Sequence, residues 1–210
     1  MNLTIKRTEE TSWDQVKAMV VAGSLKVGDE VSDNLLTGER IVHVVADIGP
    51  DDVKFISKDC LDERFAWNES GSNEGGFKES SLCKILNEKV WNILPEELRA
   101  VISERECLQI VEGKEERYPL KLWLPTEYEV FADDWASEAK EGQQFELFKD
   151  PRNRIKGAGD GGSRAYWWLL SVCGDNSASA CFVNYVGGTH YSSCAYELRV
   201  PVCFSIKIKE

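Results

Sequence analysis

The chain has 210 residues, 42% hydrophobic and 10% aromatic, enough for one well-filled core and too apolar for a disordered chain. Its 25 basic and 36 acidic residues leave a formal charge of -11, which repels a phosphate backbone and excludes nucleic acid as an expected partner. No apolar run reaches the length of a membrane span, and "MNLTIKRTEETSWD" lacks a secretory signal. The protein is therefore expected to be cytoplasmic at synthesis, with a place in a virion left open.

In chain order, "TSWDQVKAMVVAG" (11–23) puts Trp13, Val16, Val20 and Val21 near one helical face after a Thr or Ser cap, with Gly23 closing the helix. Residues 28–59 alternate apolar and polar positions, broken at "TGE" and "GPDD", and predict three or four antiparallel strands. The glycine-rich "FAWNESGSNEGGFK" (65–78) reads as a surface loop. Leu82, Ile85, Leu86, Val90 and Ile93 then recur at helical spacing, and Pro95 opens a second short helix.

A short apolar strand in "PLKLWLP" is followed by Thr126, a helix cap with Glu127 and Glu129 in the first turn. Glu127, Glu129, Asp133 and Asp134 are read together as a helix end and a solvated face. Residues 137–164 are loop-like, and the last 45 residues read as strands and turns.

Several motifs come in a fixed order: "GGFKESSLCKILNEKVWNILPEELRAVI" (75–102), "LWLPTEYEVF" (122–131), "EGQQFELFKDPRNRIK" (141–156), "YWWLLS" (166–171) and the closing "RVPVCFSI". Together they resemble a family of uncharacterised bacterial and phage proteins with G-G-W, S-x-x-R-x-x-L-N, W-L-P-S-E-x-E-V-F, W-W-L-R-S and terminal G-V-x-P-x-F motifs. Phe77 stands for the first Trp and Leu170 for the usual Arg.

The resemblance implies an α+β protein whose C-terminal part has a C-type-lectin-like fold, akin to formylglycine-generating enzymes and to the variable proteins of diversity-generating retroelements. On that basis the expected division is an N-terminal helix and strand-rich lobe over 1–64 and a lectin-like domain over 65–210, or one continuous unit. Trp123, Trp167, Trp168 and the last strand would form the platform, and the segment between would be the binding surface.

That segment is chemically distinct. From Leu169 to Tyr196 there is no Lys, Glu, Gln, Met or Trp, and every residue belongs to the set encoded by N-N-C codons, the set on which adenine-directed diversification draws. Ordinary strand-and-turn composition also disfavours Lys, Glu and Gln, so both readings stay open. The candidate ligand-binding residues are Cys173, Asp175, Asn176, Ser177, Ser179, Cys181, Asn184, Tyr185, His190, Tyr191, Ser193 and Tyr196. Tyrosines supply rigid amphipathic area there, and Ser and Asn supply adaptable hydrogen bonds. "VGGTH" predicts a hairpin turn at Gly187 and Gly188 with His190 and Tyr191 near its tip.

The functional expectation is a ligand- or receptor-binding protein, not an enzyme, that recognises a protein or carbohydrate, with other phage or surface proteins as further partners. The alternatives are an enzyme with cysteine chemistry, related to the formylglycine-generating fold, and a structural phage protein. His43, in the apolar "RIVHVVAD", reads as a core residue, and a thiolate made from Cys181 or Cys194 with His190 would need spatial adjacency. The seven cysteines, at 60, 83, 107, 173, 181, 194 and 203, form no CxxC and are expected as reduced thiols, with a bridge among Cys173, Cys181 and Cys194 as the alternative. No cofactor or metal is expected, because "GDGGSR" (159–164) lacks calcium-loop spacing and no zinc pattern occurs.

Overall fold

The computed structural model describes residues 4–5 and 12–209. Its elements in chain order are β1 (Thr4–Ile5), α1 (Trp13–Val21), β2 (Glu30–Asn34), β3 (Arg40–Ile48), β4 (Asp52–Ser57), β5 (Phe65–Ala66), α2 (Gly76–Glu79), α3 (Ser81–Ile85), α4 (Trp91–Ile93) and α5 (Glu96–Val101). They continue with β6 (Arg105–Val111), β7 (Lys114–Leu120), α6 (Glu127–Phe131), β8 (Trp167–Val172), β9 (Ser179–Val183), β10 (Thr189–Ser193), β11 (Glu197–Leu198) and β12 (Cys203–Lys207). The architecture is α+β, with mostly antiparallel strands and short helices.

A five-stranded sheet runs β1-β2-β3-β4-β12, so the end of the chain pairs with a strand near its beginning and the sheet takes strands from both sides of residue 64. A three-stranded sheet, β8-β9-β10, and the pairs β5-β11 and β6-β7 complete the strands. One continuous core runs from Trp13 to Ile206.

Ser12 caps α1 by accepting from the Gln15 amide, and the Gln15 side chain accepts from the Ser12 amide in return, a capping box. Thr11, the other expected cap, lies outside the described residues. Gly23, at φ 62°, ends the helix: its amide donates to Val20 and that of Ser24 to Met19, a Schellman closure that needs the left-handed conformation. Trp13, Val16 and Val20 face the core, but Val21 is 55% exposed, because it lies a full residue step off the buried stripe.

Trp13 is the anchor. Its indole N–H donates to Asp33 at 2.6 Å, and its ring meets His43, Phe55 and Phe204 edge-on at 5.6–6.3 Å between centroids. The expectation of a core His43 holds: it is fully buried, and neither ring nitrogen finds a hydrogen-bond partner among the described residues.

In the predicted loop 65–78, Trp67 and Phe77 are buried, and so is Asn73, whose amide group bonds the carbonyls of Asn176 and Ser179 at 2.9 and 2.7 Å. The loop is thereby stitched to the β8–β9 turn and is only partly a surface segment. In the helical run, Leu82, Leu86 and Val90 are buried, and a π-helical turn over Leu86–Val90 precedes α4.

Two features differ from the sequence expectation further on. Residues 105–120 form the hairpin β6-β7, turned at Glu112 and Gly113, both at positive φ, as a type I′ turn requires. The apolar segment around Trp123 is a single bridge to Cys203 rather than a strand.

The two sheets are tied together by Lys156. Its buried ammonium donates to the carbonyls of Ser57 and Lys58, at the end of β4, and lies 5.5 Å from the Trp167 ring on β8.

Burial holds the His43 pKa down to about 4, against an ordinary value of 6.5, with the Asp33 carboxylate partly offsetting it. A depressed histidine contributes stability that is present above pH 6.5 and lost as the pH falls through 4. Urea unfolding of the wild type and His43→Leu between pH 7 and 4 should therefore show the wild type losing about 3 kcal/mol more than the variant. Parallel curves would refute it.

Candidate functional site

The outer face of the β8-β9-β10 sheet is set by register. β8 and β9 are wholly buried, whereas β10 is the outer strand and half exposed. His190 pairs with Phe182, which pairs with Trp168, so these three side chains form one row across the sheet. Trp168 is fully buried, Phe182 nearly so, and His190 reaches solvent.

The row continues at the surface as a strip of rings. His190 stacks on Phe182 at 5.6 Å, Tyr166 meets Phe182 at 5.7 Å, and Tyr185 meets Tyr166 at 5.4 Å. On the other side Trp135 lies 6.0 Å from His190 and 6.1 Å from Tyr191. Trp135, Tyr166, Tyr185 and Tyr191 are all exposed, at 58, 42, 48 and 36%.

Beneath the strip lies a buried polar cluster, which corrects the reading of Glu127 and Glu129 as solvated. Both are buried, and only Asp133 and Asp134 reach solvent. Thr126 and Glu129 form the capping box of α6, and Glu129 pairs with Arg105, whose guanidinium lies 4.3 Å from the centre of the Trp123 ring.

The Glu127 carboxylate accepts from the amides of Ala136 and Ser137 at 3.1 and 2.7 Å and from the Thr189 hydroxyl. It thus clamps the loop that carries Trp135 to the first residue of β10. Ser171 on β8 accepts from the Glu127 amide and donates to Glu141, whose other oxygen accepts from the Ile110 amide at 2.7 Å. Ala132, at φ 53°, ends α6 and turns the chain toward Trp135.

The sequence-selected residues fall into four places. Tyr185, His190 and Tyr191 belong to the strip, with Asn184 in the turn beside it. The turn spans 184–188, with the Asn184 side chain accepting from the amides of Val186 and Gly188, so His190 and Tyr191 lie within β10 and not near a tip.

Cys173, Asp175, Asn176 and Ser177 instead line a separate cleft with Ile110 and Ser137. Ser193 ends β10, and Tyr196, 65% exposed, stands apart from the rings just described. Three of the twelve are withdrawn from the surface: Cys173, Ser179 and Cys181 are buried, the last two because β9 is the central strand of its sheet.

Trp135 and Tyr166 were missed. Trp135 stands alone in the polar "ADDWASEAKEG", where an isolated large aromatic is a signal of exposure; Tyr166 is hidden by the apolar "YWWLL" that follows it.

All seven cysteines are free and buried. Burial pushes the Cys194 thiol up to about 12 and raises Cys181 well above its ordinary value, so neither is a thiolate poised for attack beside His190. Among the described residues no group of three or more His, Cys, Asp or Glu is placed to hold a metal ion.

Residues 51–208 match the family described as Domain of unknown function (DUF6273). No curated protein and no solved structure matches the chain.

Burial raises the Glu141 carboxyl to about 7 from an ordinary 4.5, against the lowering effect of the Ile110 amide and the Ser171 hydroxyl. A raised carboxyl contributes stability that is complete below pH 4.5 and lost as the pH rises through 7. Relative to Glu141→Gln, which has no proton to lose, the wild type should become less stable by about 3 kcal/mol between pH 4.5 and 8 in urea titrations. A pH-independent difference between the two would contradict this placement of Glu141.

Proposed function

The chain belongs to the DUF6273 family, whose function is unknown, and from its own geometry we propose that it is a ligand- or receptor-binding protein with a C-type-lectin-like C-terminal domain. The observation that carries this reading is the strip of exposed rings from Trp135 through His190 and Tyr166 to Tyr185 on the outer strand and margins of an otherwise buried sheet. Rings packed against one another, with His190 and Tyr191 on a strand, present large contact area at little entropic cost, which is how recognition surfaces gain affinity. The buried Glu127 supports this reading by fixing the loop that carries Trp135.

The ligand is a protein surface or a saccharide, both of which can lay C–H faces on such rings. The resemblance to retroelement-diversified proteins, phage-encoded ones among them, adds a narrower claim: diversification is confined to positions that reach solvent, among them 175–177, 184–186, 190–193, 195 and 196, because residues 179–183 and Cys194 are buried. The locus tests that claim. A near-copy of this region differing at adenines, beside a reverse transcriptase gene, supports it, and codons ending in A or G at those positions would sink it.

The binding reading is tested by combining Trp135→Ser, Tyr185→Ser, His190→Ser and Tyr191→Ser and probing a glycan array and a displayed-peptide library. Buried recognition rings cost about 2 kcal/mol each on removal, so binding should fall more than about a hundredfold. Exposed substitutions cost about 0.5 kcal/mol or less each in stability, so the melting temperature should barely move. Unfolding of the variant, or binding equal to wild type, would show that the strip is not the recognition surface.

A further inference from the structure

Tyr166, within the ring strip, also lines a cleft of about 190 Å³ with Arg64, Ser163, Arg164, Glu197 and Arg199. In a chain of net charge -11, three arginines around one small cleft are unexpected. Against them stands one lining carboxylate, Glu197, so the lining side chains sum to two positive charges.

The backbone brings these arginines to one cleft from three separate segments. Leu198 on β11 pairs with Phe65 on β5, and Arg199 and Arg64 lie just beyond the ends of the two strands. Arg164 joins them from the third side through its bridge to Gly157, and Arg199 is held by its amide to the Tyr166 carbonyl and by its own carbonyl to the Trp168 amide.

The donors also outnumber the acceptors. Neither Arg64 nor Arg164 makes a salt bridge or side-chain hydrogen bond with any described residue. Arg199 reaches Asp62 at 3.2 Å through one terminal nitrogen, and its other terminal nitrogen is buried without a partner. A set of guanidinium groups short of acceptors is the complement of a planar carboxylate, which two such groups can grip in bidentate fashion.

We propose that this cleft is an anion subsite of the recognition surface, and that it takes the carboxylate of an acidic sugar, a uronic acid type of residue, whose ring rests against Tyr166. The inference rests on the binding reading above, since Tyr166 is the link between strip and cleft. The volume supports a single ring: it lies below the ~300–1,000 Å³ of pockets that enclose drug-sized ligands. Ser163 offers a hydroxyl to the sugar, and Glu197 can accept from one of the sugar's own hydroxyl groups.

The experiment is an amide-resolved NMR titration of the whole chain with methyl glucuronide, methyl glucoside and sodium sulfate. Methyl glucuronide should shift the amides of Ala165, Tyr166, Leu198 and Arg199 saturably and more weakly as salt is raised, whereas methyl glucoside, the same ring without the carboxylate, should shift them at least about tenfold more weakly. Arg64→Gln and Arg164→Gln should each weaken glucuronide binding by about tenfold, as expected for loss of one charge-assisted contact, and Arg152→Gln, an exposed arginine paired with Asp150, should not.

Sulfate binding as tight as glucuronide would overturn the sugar assignment, leaving a bare anion site. Equal binding of glucuronide and glucoside, or none by either, would overturn the subsite altogether. The two readings fail separately: loss of array binding on removal of the rings, with no effect of the arginine variants, keeps the recognition strip and rejects the subsite. Glucuronide binding that needs the arginines, with array binding indifferent to the rings, does the reverse.

Discussion

A carboxylate with no access to water governs the arrangement around the ring strip. Glu127 is fully buried, and a buried carboxylate short of donors costs several kcal/mol, so the chain around it is arranged to supply them. Two of those donors are consecutive backbone amides, at Ala136 and Ser137, and the third is the hydroxyl of Thr189. Meeting that need fixes the loop after α6 and the start of β10 relative to each other, and with them Trp135, His190 and Tyr191.

The same logic extends outward. Glu141 takes the Ser171 hydroxyl and the Ile110 amide, and Glu129 takes Arg105, so three carboxylates link α6, β6 and β8 and the chain segment between α6 and β8. Such networks contribute little net stability compared with an apolar core, but each member has few satisfactory arrangements, which makes the local geometry definite. A surface assembled for binding gains from that definiteness, because less freedom remains to be lost when a ligand arrives. At the arginine cleft the opposite condition holds at one atom, a terminal nitrogen of Arg199 buried without a partner.

Much of the scaffold was legible because its signals are local. The Ser12 and Gly23 boundaries of α1, the Thr126 cap of α6 and the antiparallel strands between 28 and 59 follow from capping chemistry and periodicity, while the buried Trp123, Trp167 and Trp168 were expected only from the family resemblance. The β6-β7 hairpin was not, because "KEERYPL" is charged along most of its length and its strand character comes from its partner and from the Glu112-Gly113 turn. Within the candidate site, Tyr185, His190 and Tyr191 were legible from composition, whereas Cys173, Ser179 and Cys181 share that composition and point inward. Composition reports that a segment is suited to a surface, but strand order decides which of its residues reach one.

The amino-acid sequence by itself determined the ends of α1, the Thr126 cap of α6, the strand-rich stretch between 28 and 59 and the turn at Gly187 and Gly188, since each depends on residues within a few positions of one another. The tertiary structure alone decided that β12 closes the N-terminal sheet, that Glu127 is a buried clamp rather than a solvated helix end, and that Trp135, Tyr166 and three distant arginines meet along one surface. Those facts join residues tens to more than a hundred positions apart. Such pairings are set by which faces must be buried and which polar groups must be satisfied, and no local pattern encodes that choice.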